Sequence, residues 1–185
     1  DGIADPNSVT MGFAKAAQQL GVTIEREVEV TGIGLDADRI TEIQTSAGPI
    51  ETRIVVNAAG PWSHQIGQMV ATNIPVQPFR RHIFIADVPP DPTGLALEAR
   101  TSPSTRILTI DFDTTFYFHR ESTGILFGMG DPDEPSSFEQ SVNWDLLERI
   151  APVAARRLPV LADAGISTAW AGLYEMTPDA MPIIG

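Results

Sequence analysis

Three histidines, a few glycine-spaced turns and one acidic run are the places in this 185-residue chain where side-chain chemistry could be sought. His64, His82 and His119 lie far apart in sequence and at no metal-ligand spacing such as i, i+4, so surface or internally satisfied histidines are expected. Asp131-Pro132-Asp133-Glu134-Pro135 offers carboxylates to a hard cation, yet its prolines break the loop and no glycine stands at the sharp turn of a calcium loop. It reads as a solvated acidic loop, and no metal site is expected. The Gly-x-Ser-x-Gly elbow of serine hydrolases is missing. Without cysteine, the chain supports no thiol nucleophile, disulfide, Cys-ligated zinc or iron–sulfur cluster.

Gly32-Ile33-Gly34-Leu35-Asp36-Ala37 has the spacing of a dinucleotide fingerprint, but that motif needs a strand before it and a helix after it. Here Asp36 to Arg39 reads as a hairpin turn and Ile40 onward as a second strand, so the glycines are assigned to a twisted hairpin. Gly128-Met129-Gly130 fares no better, with Pro132 close behind. Val55-Val56-Asn57-Ala58-Ala59-Gly60 is more informative. Its β-branched run from Arg53 reads as a strand buried on both faces, passing abruptly to the smallest side chains. Ligands of open α/β sheets lie beyond the carboxyl ends of strands, where Ala58, Ala59 and Gly60 would admit a bulky ligand and the following helix would offer amides to an anion. A plain strand-to-helix turn asks for the same residues, and both readings stand.

These segments need elements to hold them. Asp5-Pro6, then Val9, Phe13, Ala16, Ala17 and Leu20, predicts a capped amphipathic helix ended by Gly21. Short β-rich runs follow at Val22–Ile24, Val28–Leu35, Ile40–Thr45 and Ile50–Val56. A helix is predicted from about Trp62 to Thr72, with a lobe boundary near Ile74. Beyond it, Val76–Val88, Arg106–Asp111, Thr115–Arg120 and Ile125–Gly130 read as strands of a second sheet, separated by Pro-rich loops at Pro89-Pro90-Asp91-Pro92 and Asp131 to Pro135. Trp144, Leu147, Ile150, Ala151, Ala154 and Leu158 mark a last helix, with a break or kink expected at Pro152. Ile166–Leu173 is a final strand, and Met181–Gly185 resembles the start of another.

Twelve basic and 24 acidic residues give a net charge of −12, which disfavours nucleic acid and anionic lipid as partners. The longest uncharged stretch, Ile54 to Phe79, carries too many polar residues and prolines to span a membrane. No targeting segment is evident at the Asp1-Gly2 start, so a cytoplasmic location is expected, and a start without Met suggests an excised piece.

Taken together, Asp1-Gly2 with Asp5-Pro6 and the helix to Gly21, Val55-Val56-Asn57-Ala58-Ala59-Gly60-Pro61-Trp62-Ser63, Pro75-Val76-x-Pro78-x-Arg80, Trp170-Ala171-Gly172-Leu173 and Thr177-Pro178-Asp179-x-x-Pro182-Ile183-Ile184-Gly185 follow the order of a known family. The chain resembles the D-amino-acid oxidase (DAO) superfamily of FAD-dependent oxidoreductases, in its sarcosine and dimethylglycine oxidase or dehydrogenase branch. The resemblance covers nearly the whole chain. It implies an α+β fold: an incomplete FAD domain of the glutathione-reductase type plus a substrate domain with a mixed or antiparallel sheet and helices. Residues 1–74 would be a partial FAD-binding domain, 75–169 the substrate-binding domain and 170–185 a return strand. It further implies a central fragment, without the Gly-rich segments that meet the pyrophosphate and the isoalloxazine and therefore inactive alone.

The same resemblance places the adenine end of FAD against Val30 or Val28, and the ribose and pyrophosphate along Ala58, Ala59 and Gly60, with Trp62 beside them. Tyr117 and Tyr174 would line the substrate. Tyr174 stands where glycine and D-amino-acid oxidases carry an arginine for the substrate carboxylate, and Tyr117 is equally well an ordinary strand aromatic. Gly172 stands where monomeric sarcosine oxidases tether flavin through cysteine, so FAD in this segment would be non-covalent. Leu126 falls near their oxygen-activating lysine, which leans towards a dehydrogenase. The catalytic residues are not assigned. The implied activity is oxidation of the C–N bond of a small amine or N-methyl amino acid by hydride transfer to flavin, with a glycerol-3-phosphate dehydrogenase-like enzyme or a non-enzymatic α+β binding module as alternatives. Self-association through exposed apolar surface is also expected.

Overall fold

A computed structural model of the chain describes residues 4–88, 107–121 and 124–185. The Asp1-Gly2 start, the Pro89-Pro90-Asp91-Pro92 loop and Arg106 lie outside the described residues. The chain divides into two compact units, Ala4–Gln77 with Glu175–Gly185, and Pro78–Tyr174.

In the first unit, helix α1 (Pro6–Gln19) starts where a carboxylate cap and Pro at the first turn call for it: the Asp5 side chain accepts from the Ser8 N–H at 2.7 Å. Gly21 leaves it with φ +89°. An antiparallel three-stranded meander follows, β1 (Val30–Asp36), β2 (Arg39–Thr45) and β3 (Gly48–Glu51). The glycine pair is the hairpin's: Gly32 faces Gln44 and Gly34 faces Glu42, and a Cβ on either would meet those side chains at 2.7 and 2.6 Å. A helix does not follow them, as the sequence argument required.

Four expectations fail in this unit. Val22–Ile24 forms no strand. Arg53–Val56 is extended but joins no sheet, and Ile54 and Val56 are 80% and 85% exposed, the opposite of burial on both faces. Consecutive β-branched residues favour an extended backbone, but only neighbouring strands make it a buried one, and none pairs with it among the described residues. The predicted helix Trp62–Thr72 is shorter: a 3-10 turn (Gly60–Trp62) and then α2 (Ser63–Gln68), closed by Ala71 at φ +54° and a Thr72 N–H bond to the Gly67 carbonyl. Met181–Gly185 is likewise not a strand.

The second unit is a five-stranded sheet of order β5-β6-β7-β4-β8, formed by β4 (Gln77–Asp87), β5 (Thr109–Ile110), β6 (Tyr117–Glu121), β7 (Gly124–Gly128) and β8 (Gly165–Met176). The β5–β6, β6–β7 and β7–β4 pairs are antiparallel. One helix, α3 (Trp144–Arg157), covers one face, and a 3-10 turn (Pro159–Leu161) follows it. Alternation along β4 sends His82, Phe84 and Ala86 into the core, where Phe84, Phe116, Phe118, Ile125 and Phe127 pack on Leu146, Ile150, Ala154 and Leu158. Pro152 lies on the exposed side of α3 and does not break it, because the buried stripe on either side keeps both halves on the sheet.

Candidate functional site

In the first unit the turn after Val56 is built by Asn57. Its side-chain amide donates to the Ser63 carbonyl at 2.9 Å, and its Oδ1 accepts from the Ala59 N–H at 3.2 Å. Gly60 sits at φ +53° with nothing within 4 Å of where a Cβ would be, a backbone that side-chain-bearing residues rarely adopt. The Ala58 and Gly60 amides donate to no group among the described residues. A second turn faces this one: the Thr177 hydroxyl donates to the Met181 carbonyl at 2.8 Å, and the Met181 N–H donates to Asp179 Oδ1 at 3.1 Å. Between the turns opens a cavity of about 380 Å³ whose lining includes Asn57, Gly60, Ser63, Ile74, Thr177 and Met181. Its size is that of a small-ligand pocket. His64 is occupied structurally, donating from Nδ1 to the Ile74 carbonyl at 2.8 Å.

Of the residues singled out for a cofactor, Ala58, Ala59, Gly60 and Trp62 therefore share one turn, and Gly60 lines the cavity. Val30 does not join them. It starts β1 opposite Thr45, half-buried beside a bulge, and Val28 is half-buried just before it. An open backbone at Gly60, two unengaged amides and an adjoining cavity leave room for one polar stretch of an elongated ligand, with Glu175 also in the cavity wall.

In the second unit the sheet face opposite α3 carries the other group. Cross-strand partners share a face, so Tyr117 with Gly128, and His119 with Leu126 and Ile85, all lie on it. Arg81 follows from β4's alternation. The Arg81 guanidinium lies 5.6 Å from the Tyr174 ring centroid and 5.9 Å from that of Phe79. Burial raises the Tyr117 phenol above its ordinary range, neighbouring Tyr174 adds to this, and Arg81 opposes it. Tyr117 and Leu126 thus share this face, and Tyr174 meets it through Arg81. Gly128 makes room: a Cβ there would fall on the Tyr117 phenol and 2.8 Å from the His82 carbonyl. Sequence reasoning missed Arg81, Phe79 and Gly128; the every-second-residue pattern through Phe79, Arg81, Ile83 and Ile85 was the available signal.

The acidic loop is corrected. Asp131 and Glu134 are buried, not solvated: Arg80 Nε bonds Glu134 at 2.9 Å, and Arg149 bonds Asp131 through both terminal nitrogens. Burial pushes the Asp131 carboxyl up, but the Arg149 hydrogen bond and the Asp133 N–H outweigh it, and the net shift is downward. His82, 2% exposed, accepts from the Asn143 N–H through Nε2 at 3.0 Å, and burial lowers its pKa. His119 donates from Nδ1 to the Arg120 carbonyl at 2.9 Å. Among the described residues no cluster of three or more potential metal ligands occurs, and no helix is long and apolar enough to cross a membrane.

The described residues thus form two units, one with a small-residue turn beside a cavity and one with a tyrosine-bearing sheet face. The chain belongs to the DAO family of FAD dependent oxidoreductases, whose family model matches residues 1–185. It is 27% identical over 201 residues to mitochondrial dimethylglycine dehydrogenase of Rattus norvegicus, covering 100% of this chain and 23% of that protein. Sarcosine oxidase subunit beta of Rhizobium meliloti (strain 1021) is 26% identical over 179 residues, covering 96% of this chain and 40% of the relative. Among solved structures, L-proline dehydrogenase from P. horikoshii superposes with a TM-score of 0.83 at 28% identity, covering 98% of this chain and 46% of that one. The chain spans less than half the length of each of these.

Proposed function

We propose that this chain contributes to an FAD-dependent oxidoreductase that oxidises the C–N bond of a small amine or N-methyl amino acid. Membership of the family supports the redox class, and relatives named for dimethylglycine, sarcosine and L-proline support the substrate class. The observation that carries the reading to this chain is the sheet face that α3 leaves uncovered, which bears Tyr117 and the contact of Arg81 with the Tyr174 ring.

In this reading the unit Ala4–Gln77 with Glu175–Gly185 serves the cofactor and Pro78–Tyr174 serves the substrate. The backbone at Ala58, Ala59 and Gly60 would hold part of FAD, without a covalent link from this segment, with Trp62 alongside and Val30 at a separate place on β1. When bound, FAD supplies the two-electron acceptor for a hydride from the carbon beside the nitrogen. The chain's own residues do the positioning: Tyr117 and Tyr174 line the substrate and exclude water, and Leu126 keeps the centre of the face apolar. Leu126 supplies no cation to assist oxygen, which favours electron delivery to another carrier.

The test is dye-linked turnover by protein made from the whole reading frame that carries these residues. Sarcosine, dimethylglycine or proline should reduce the dye and release the carbonyl product. Absence of turnover with all three, and with other small amines, would remove the reading.

A further inference from the structure

The connection from β7 to α3, residues 129–143, contains no helix and joins the sheet only through a bridge between Phe79 and Ser136. Stretches of that length without regular structure are uncommon in compact domains, and functional loops are prominent among them. Side chains from other elements hold this one in place. Arg80 on β4 donates from Nη1 to the Ser141 carbonyl and from Nε to Glu134, each at 2.9 Å. Arg149 on α3 bonds Asp131 through both terminal nitrogens. His82 on β4 accepts the Asn143 N–H through Nε2 at 3.0 Å. The histidine contact differs in kind from the other two. A backbone N–H only donates, so Nε2 must be bare and the ring uncharged. A protonated imidazole donates from both nitrogens, and the bond would become an opposition of two N–H groups. The arginines keep their charge at every working pH, whereas an imidazole gains its proton in mildly acid water.

His82 is 2% exposed and stacked on Phe84. Burial weighs most against a charge on it. Arg80 and Arg81 of its own strand also oppose a charge, Glu134 and Asp131 of the connection favour one, and Arg149 of α3 engages that same Asp131. Asn143 is at the same time the cap of α3, its Oδ1 accepting from the Asp145 N–H at 3.1 Å. Earlier in the connection, the Ser137 N–H donates to the Pro78 carbonyl at 3.1 Å and the Gly130 N–H to Thr115 Oγ1 at 3.0 Å. These anchors adjoin Phe79 and Tyr117, two borders of the face that α3 leaves open. We infer that His82 is a proton-operated latch: uncharged, it fastens residues 129–143 beside the sheet, and protonated, it releases Asn143 so that this connection opens locally and loosens both borders. The latch stands apart from the functional reading above, and only its effect on substrate binding rests on that reading.

The test is hydrogen exchange read by mass spectrometry on protein made from the whole reading frame, parent and His82→Gln, between pH about 7.5 and about 5.5. Each rate is divided by its intrinsic value at that pH. Glutamine offers Asn143 an acceptor oxygen that takes no proton. An open form titrating near the ordinary value of about 6.5, against a lower closed value, predicts that opening of residues 129–143 grows by up to about ten-fold at pH about 5.5. The β7 peptide should stay the better protected throughout, and the growth should vanish in His82→Gln. In a parent that oxidises a small amine, KM should rise over the same interval, and not in the variant. Equal protection of residues 129–143 and of β7 at the acid end, or the same pH trend in both proteins, would overturn the latch, and the parent's own series decides this even if the variant folds poorly. Opening as expected with an unchanged KM would overturn the coupling to the open face. Opening as expected in a parent that oxidises no amine would support the latch and defeat the functional reading instead.

Discussion

Gly128 shows how a residue without a side chain can fix the position of one that has chemistry. Its missing Cβ is the space over which the Tyr117 ring lies, so Gly128→Ala must displace Tyr117 or part β7 from β4. Such overpacking costs about 1–3 kcal/mol, which urea denaturation should read as a lower midpoint. His82 carries a pH prediction. Its pKa is lowered by burial first and by Arg80 second, with Glu134 and Asp131 opposing and Arg81 adding. The folded value thus lies below the unfolded one of about 6.5, and the unfolded chain takes up the extra proton. Stability from this source is complete above pH about 6.5 and is lost as pH falls from there through the folded pKa. The denaturation midpoint should drop between pH about 7.5 and about 5.5, and His82→Gln should flatten that drop. Asp131, also lowered, loses its contribution only in the carboxylate range, so the two effects separate.

At the scale of elements, what could be read from sequence was what local chemistry decides. Asp5-Pro6 and Gly21 framed α1, the turn at Asp36 to Arg39 settled the hairpin against the dinucleotide pattern, and Ile150, Ala154 and Leu158 placed α3 on a core, although Leu146 is buried there while Trp144 and Ala151 are exposed. What failed needed knowledge of neighbours. The Arg53–Val56 run has the composition of a central strand without the strands beside it, and the acids at Asp131 and Glu134 are buried only because Arg149 and Arg80 arrive from distant segments. Pro152 tests the balance in α3: it is exposed, so Pro152→Ala removes a helix penalty and little packing. Part of the roughly 3 kcal/mol interior-proline cost should be recovered as a higher melting temperature. Ile150→Ala, by contrast, empties a fully buried position and should cost about 2–5 kcal/mol.

For the whole molecule, the turn at Ala58 to Gly60 was legible in part and the sheet face opposite α3 hardly at all. Ala58 to Gly60 announce themselves by size, whereas Arg81 matters through a pairing with Tyr174 that only the sheet order β7-β4-β8 creates. Large apolar side chains stand exposed in the first unit, among them Phe13 at 75%, Leu20 at 87%, Ile54 and Val56. The 185-residue chain by itself should therefore self-associate, and a clean monomer by light scattering at high concentration would contradict this. The central claim is more directly tested by the visible spectrum of the protein made from the whole reading frame. The account predicts a flavin band that bleaches anaerobically on adding sarcosine, dimethylglycine or proline. A colourless protein that refuses added FAD, or a flavin band that no small amine bleaches, would contradict it.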